Sequence, residues 1–137
     1  MSEQSIKKVL ITGANGFIGN SLMRFYQQNN QAVVGVDLVG NGTDIIEGDI
    51  AKPESIANVL DDCDVIIHTA ALVSNAMEDS DMWRVNVQAT GNLINAAKKH
   101  KVRRFVQISS IVAYGNAAEG ELDENHPVHA DGGSYVL

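Results

Sequence analysis

The sequence predicts an α/β domain built on a parallel sheet covered on both faces. Three observations carry that prediction. Short β-branched apolar runs alternate with segments whose apolar residues recur at helical spacing. The first run meets the first helix through three glycines spaced three apart, in Thr12 Gly13 Ala14 Asn15 Gly16 Phe17 Ile18 Gly19. An acid, Asp37, closes the second run, about 20 residues past those glycines.

The elements come in order along the chain. Lys8 Val9 Leu10 Ile11 Thr12 reads as a first strand, Ile18, Leu22 and Phe25 mark the next helix, and Ala32 Val33 Val34 Gly35 Val36 reads as a second strand. Together these make one βαβ unit. Asn41 Gly42 is a turn, and Asp44 Ile45 Ile46 Glu47 is a short third strand running into Gly48 Asp49 Ile50. Pro53 suits a first helical turn, with Ile56, Val59 and Leu60 on one face behind it. Val65 Ile66 Ile67 His68 is apolar throughout until its histidine, as a buried central strand should be. A long helix spans roughly Asp79 to His100, with Met82, Val85, Ala89, Leu93 and Ala96 at steps of three and four. Phe105 Val106 Gln107 Ile108 Ser109 makes a fifth strand, and from Ala113 onward glycine, acidic and polar residues read as a long loop of the kind that carries function. The predicted strand order is 3-2-1-4-5, in a three-layer sheet that stops short of the sixth strand such folds carry.

The glycine loop is the strongest chemical signal. Glycine lets the backbone turn tightly and come within contact distance of a ligand, and the helix after it offers unpaired N–H groups and a positive dipole end to an anion. That is a cradle for a pyrophosphate. A carboxylate at the end of the second strand, at Asp37 beside Leu38, accepts hydrogen bonds from ribose hydroxyls and repels a 2′-phosphate, so the loop and the acid together favour NAD over NADP. Ligands of such sheets lie across the carboxyl ends of the strands, where this chain delivers the loop, Asp37, Asp49 and Ile50, His68 Thr69 Ala70 Ala71, and Ser109 Ser110. Small side chains at Ala70 and Ala71 let a cofactor pass close to the backbone. A serine ending the fifth strand serves either as a cap or as a polariser of a substrate oxygen.

Composition narrows the classes. At 137 residues the chain fits one domain with a real core, short for an enzyme that also houses a substrate beside a dinucleotide. A net charge of −7 argues against nucleic acid. Five of the ten basic residues lie in Lys98 Lys99 His100 Lys101 Val102 Arg103 Arg104, where a helix should end and cations complement its dipole. A single cysteine, Cys63, excludes an internal disulfide and points to a reducing compartment; its neighbours Asp61, Asp62 and Asp64 raise its pKa and make it a poor nucleophile. The N-terminus lacks the apolar core of a signal peptide, no apolar run reaches the length of a membrane span, and no metal-ligating spacing stands out, so a cytoplasmic protein is expected.

These residues resemble the extended short-chain dehydrogenase/reductases, the family of NAD-dependent sugar epimerases and dehydratases and of 3β-hydroxysteroid dehydrogenase-like reductases. The resemblance covers essentially the whole chain. Thr12 to Gly19 resembles the family's TGxxGxxG loop, Asp49 Ile50 its acidic-apolar pair at the adenine, and His68 Thr69 Ala70 Ala71 its HxAA stretch along the nicotinamide half of the cofactor. Val85 Asn86 Val87 Gln88 Ala89 Thr90 is similar to its VNVxGT helix start, with Ala89 where glycine is usual, and implies a cofactor-side role for Asn86. Ser109 Ser110 Ile111 Val112 Ala113 Tyr114 Gly115 resembles SSxxVYG, which implies that Ser110 is catalytic, and Asp123 Glu124 Asn125 His126 Pro127 resembles the loop before the catalytic tyrosine. Tyr135 stands at the separation that tyrosine requires.

The resemblance implies a Rossmann fold and NAD-dependent hydride transfer at a carbinol carbon, of a nucleotide sugar first and a hydroxysteroid-like alcohol second. Residues 1–137 are then an incomplete NAD-binding domain without the substrate-binding region. The lysine of YxxxK would fall two residues beyond Leu137. A tyrosine working near neutral pH needs its pKa brought from about 10 to about 7, roughly 4 kcal/mol of phenolate stabilisation, which an adjacent ammonium helps to supply. This chain is therefore expected to bind NAD with little or no turnover. A non-catalytic NAD-binding module or pseudoenzyme is the alternative. A fifth strand left as an open edge favours self-association, and a homodimer would pair through the long helix.

Overall fold

The run Val9–Thr12 is buried at all four positions, which only a strand at the centre of a covered sheet achieves. A computed structural model describes residues 5–73, 79–115, 120 and 122–128. In it β1 (Val9–Thr12), β2 (Val33–Asp37), β3 (Ile45–Glu47), β4 (Val65–His68) and β5 (Arg104–Gln107) form one sheet in the order β3-β2-β1-β4-β5. Every neighbouring pair is parallel, with Thr12 opposite both Val36 and His68, and His68 opposite Gln107. The ends of the three central strands therefore lie level.

Helices cover both faces because side chains alternate along each strand. Val9, Ile11, Val65 and Ile67 pack with Met23 of α1 (Phe17–Gln28). Leu10, Val36 and Ile66 pack on the other side with Leu60 of α2 (Ala57–Asp61) and with Leu93 and Ala97 of α4 (Thr90–Lys99). The predicted three layers and strand order are both present.

Several local expectations differ. The spacing of Ile18, Leu22 and Phe25 predicts the buried stripe of α1, yet the buried residues are Gly19 and Met23, with Leu22 and Tyr26 packed beside them and Phe25 57% exposed. Gly19 causes the rotation: a Cβ there would lie 2.1 Å from Gly13 O, so the helix meets the loop on the side that carries no side chain. Pro53 opens a 3-10 turn, Pro53–Ile56, before α2 begins. The long helix is three pieces, α3 (Asp79–Met82), a π-helical segment Trp83–Ala89, and α4. In α4 the fully buried positions are Leu93 and Ala97, one helical step of four apart, with the expected Ala96 packed half-buried beside them, and Val85 in the π segment is half-buried. The fifth strand starts and ends earlier than predicted, and its last ladder bond is Ile108 N–H to His68 O at 3.0 Å. Ser110 then caps a 3-10 turn, Ile111–Tyr114.

The basic cluster lies at the end of α4, with Lys98 and Lys99 in its last turn, Lys101 at φ 59, and Val102 N–H closing on Ala97 O at 2.9 Å. Cys63 is buried and its pKa rises to about 11, first through burial and then through Asp62 and Asp64, against the opposing charge of Lys8. The sequence expectation of a raised pKa holds, though burial is the larger cause. Among the described residues no helix is long and apolar enough to cross a membrane, and no group of three His, Cys, Asp or Glu side chains could hold a metal.

Candidate functional site

The level ends of β1, β2 and β4 open into a cleft of about 820 Å³, within the roughly 300–1,000 Å³ of small-molecule sites. Its first wall is the glycine loop, Gly13, Asn15, Gly16, Phe17, Ile18 and Gly19. The loop leaves β1 at Gly13, which admits no side chain: its φ is 69, and a Cβ there would lie 2.8 Å from Ala70 N. Gly13 N–H donates to Val36 O at 2.9 Å, stitching the loop to β2, and Gly16 N–H donates back to Gly13 O at 3.0 Å. Gly16 is the N-cap of α1 and supplies no capping side chain. The first-turn N–H groups of α1 have no carbonyl in their own helix to bind, and they face a cradle that bare backbone lines.

Asp37 and Leu38 form the second wall. The Asp37 carboxylate accepts from Asn15 N–H at 2.9 Å and from Leu38 N–H at 2.8 Å, while the Asn15 side-chain amide donates to Val39 O at 2.8 Å. These bonds hold the acid against the loop, and a carboxylate that has taken two donors keeps lone pairs for a diol. Gly48, Asp49 and Ile50 extend this wall beyond β3. Asp49 accepts from Ala51 N–H at 2.9 Å, and Ile50 belongs to the core.

The floor is Thr69, Ala70, Ala71 and Leu72. Beneath it Thr12 and His68, both 0% exposed, form a buried polar chain. Thr12 Oγ1 lies 2.6 Å from His68 Nδ1, His68 Nε2 lies 2.9 Å from Thr90 Oγ1, and Ala70 N–H reaches Thr12 Oγ1 at 3.4 Å. Thr69 Oγ1 donates to Thr12 O at 2.7 Å. A hydroxyl can donate or accept, so Thr12 and Thr90 satisfy both ring nitrogens in either neutral tautomer. Burial lowers the His68 pKa to about 4, keeping the ring neutral. The chain ties β1 and β4 to the start of α4 and so fixes the floor.

The structure thus brings together every cofactor-side residue predicted from sequence except Asn86. The Asn86 amide is engaged elsewhere: Oδ1 accepts from Leu72 N–H at 2.8 Å and Nδ2 donates to Leu72 O at 2.9 Å. It clamps the segment after β4 to the π segment from behind the floor. Ala89, which replaces the usual glycine, is wholly buried in the core, so its methyl is accommodated. Ser110 stands outside the cleft lining; its Oγ accepts from Val112 N–H at 3.4 Å, the capping role the sequence left open beside the catalytic one. The Tyr114 and His126 rings meet edge to face at 5.6 Å, bringing the acidic loop beside that turn. Tyr135 lies outside the described residues.

Sequence reasoning missed Arg84 and Val85, which line the cleft from the π segment, and the role of Thr90. The π bulge has no sequence signature that would have aimed Arg84 there. The Thr12 and His68 pair was legible in principle, as two polar residues ending adjacent apolar strands.

Comparison with known proteins agrees with this geometry. The model of the NAD dependent epimerase/dehydratase family matches residues 9–135. The low-salt glycan biosynthesis protein Agl12 of Haloferax volcanii is 31% identical over 88% of this chain and 44% of its own length. The dTDP-glucose 4,6-dehydratase of Streptomyces niveus is 28% identical over 88% of this chain and 43% of its own. The chain thus spans less than half the length of these curated relatives. The UDP-glucose-4-epimerase of Stenotrophomonas maltophila, solved with bound NAD and formylated UDP-arabinopyranose, superposes with a TM-score of 0.83 at 25% identity, over 95% of this chain and 44% of that one. With the family pattern matched from the first strand nearly to the last residue, the chain belongs to the NAD dependent epimerase/dehydratase family.

Proposed function

We propose that this chain is the NAD-binding portion of an enzyme that acts by hydride transfer on a carbinol carbon of a nucleotide sugar. The observation that carries the reading is the cleft itself. A glycine loop at a helix start suits a diphosphate, and Asp37, held against that loop, suits the adenosine ribose hydroxyls. Gly13, Asn15, Gly16, Phe17, Ile18 and Gly19 would hold the diphosphate side, Asp37, Leu38, Asp49 and Ile50 the adenosine side, and Thr69, Ala70 and Ala71 the nicotinamide side. The nicotinamide would supply the hydride acceptor and donor. The nucleotide-sugar preference is supported by the dehydratase and epimerase names among the relatives.

By family resemblance, Tyr135 would take the proton of the substrate hydroxyl and Ser110 would hold the same oxygen, with Asn86 acting through the segment it clamps. The 137-residue polypeptide by itself is proposed to bind NAD without appreciable turnover, because the cofactor-side residues line one cleft while Ser110 stands outside it. Incubation with NAD and UDP-glucose tests this. Neither reduced nicotinamide nor a new sugar should accumulate; sustained conversion would overturn the separation of binding from turnover. A cytoplasmic setting is proposed from the single buried thiol. Exposed apolar side chains at Val106, Ile108 and Ile111 support self-association, which sedimentation as a clean monomer at high concentration would contradict.

A further inference from the structure

We propose that Arg84 is a diphosphate-binding residue of the cleft, reaching from the π segment to the anionic linkage of a bound nucleotide opposite the glycine loop. The inference rests on the cofactor reading above and adds a residue to it. Three observations carry it. Arg84 is the one Lys or Arg among the described residues that line the cleft, whose other charged linings are the carboxylates Asp37 and Asp49. A dinucleotide diphosphate brings two negative charges into a cleft already acidic, in a chain of net charge −7, and the partial charge of a helix start offsets only part of that. Finally, the Arg84 side chain is 56% exposed and its guanidinium pairs with a single carboxylate oxygen, Asp81 Oδ1 at 3.2 Å, on a side chain itself about half exposed. A surface pair of this kind holds weakly, and a guanidinium exchanges one carboxylate oxygen for a bidentate grip on phosphate.

The π segment explains why an arginine here can serve the cleft. The wider turn brings Arg84 and Val85 to the cleft while the next residue, Asn86, clamps Leu72 from the same stretch. The neighbouring Asn86 anchors the backbone of this stretch while the Arg84 side chain stays exposed to solvent, so the guanidinium is open to an arriving anion.

The test is calorimetric titration of the purified chain and its Arg84→Gln and Arg84→Lys variants with NAD, ADP and adenosine, and of the NAD-loaded proteins with UDP. Arg84→Gln should weaken NAD and ADP about fivefold, leave adenosine unchanged, and lessen the loss of NAD affinity as salt rises, with Arg84→Lys in between. A loss confined to UDP would assign the same chemistry to a substrate diphosphate. Equal affinity of Arg84→Gln for all three diphosphates would overturn the proposal, as would an equal loss for adenosine, which marks a merely structural effect. If the unsubstituted folded chain binds neither NAD nor ADP, the cofactor reading falls first and this inference with it.

Discussion

β1 and β5 are parallel four-residue strands of the same sheet, and they sit in opposite surroundings. All of β1 is buried; of β5 only Phe105 is half-buried, and Val106 is 37% exposed. The segments that leave the two strands differ in the same way. The loop after β1 is fixed by backbone bonds to β2, by a helix in direct backbone contact, and by the Thr12, His68 and Thr90 chain beneath it. Ser110 after β5 is bonded within its own turn, accepting from Val112 N–H at its Oγ at 3.4 Å and from Ala113 N–H at its carbonyl at 3.1 Å. The cleft is therefore built by the buried centre of the sheet, whereas Ser110 follows the outermost strand on that side among the described residues.

Paired substitutions probe that contrast at its largest. Ile66→Ala, on the buried strand β4 beside β1, should cost about 2–5 kcal/mol, while Val106→Ala on β5 should cost under about 1 kcal/mol. Urea unfolding of both variants measures the difference, and equal costs would erase the distinction between centre and edge.

Proton linkage at His68 sharpens the picture of the centre. Its folded pKa, about 4, lies below the ordinary histidine value, so the unfolded chain binds a proton first as pH falls. The stabilisation is fully present above about pH 6.5 and is lost on acidification towards pH 4, roughly 3 kcal/mol in all. His68→Gln should remove that slope, so the stability difference between the two proteins shrinks with falling pH; parallel pH profiles would show that the ring is not buried and neutral.

Gly19→Ala should cost about 1–3 kcal/mol, because the new methyl meets the Gly13 carbonyl, and should displace the loop enough to abolish measurable NAD binding. At the other extreme, Ser110→Ala should change stability by less than about 0.5 kcal/mol and NAD affinity by less than about twofold, since its bond is long and it stands outside the cleft. A large loss of NAD affinity in Ser110→Ala would mean that edge and centre form a single site.

The same contrast sets what was legible in the sequence. The strands of the centre announce themselves because a strand buried on both faces is apolar at every position, and the glycines of the loop because only glycine tolerates those contacts. Asp37 was legible by its distance from them. The apolar spacing of Ile18, Leu22 and Phe25 marks α1 without giving its buried face, because the close contact is made by Gly19, which has no side chain to count. The π segment was invisible for a related reason: one extra residue in a helix shifts a face without changing its composition, so Arg84 and the place of Asn86 emerged only from three dimensions. For Ser110, a strand-ending serine reads alike as cap or catalyst.

The central claim is that the cleft at the ends of β1, β2 and β4 takes NAD, with its diphosphate on the glycine loop and its ribose on Asp37. Calorimetric titration of the purified chain with NAD and with NADP tests it most directly. NAD should bind saturably and NADP more weakly by about tenfold or more, because a 2′-phosphate would meet the Asp37 carboxylate. A chain that is folded by circular dichroism yet gives no heat with NAD, or that prefers NADP, would contradict it.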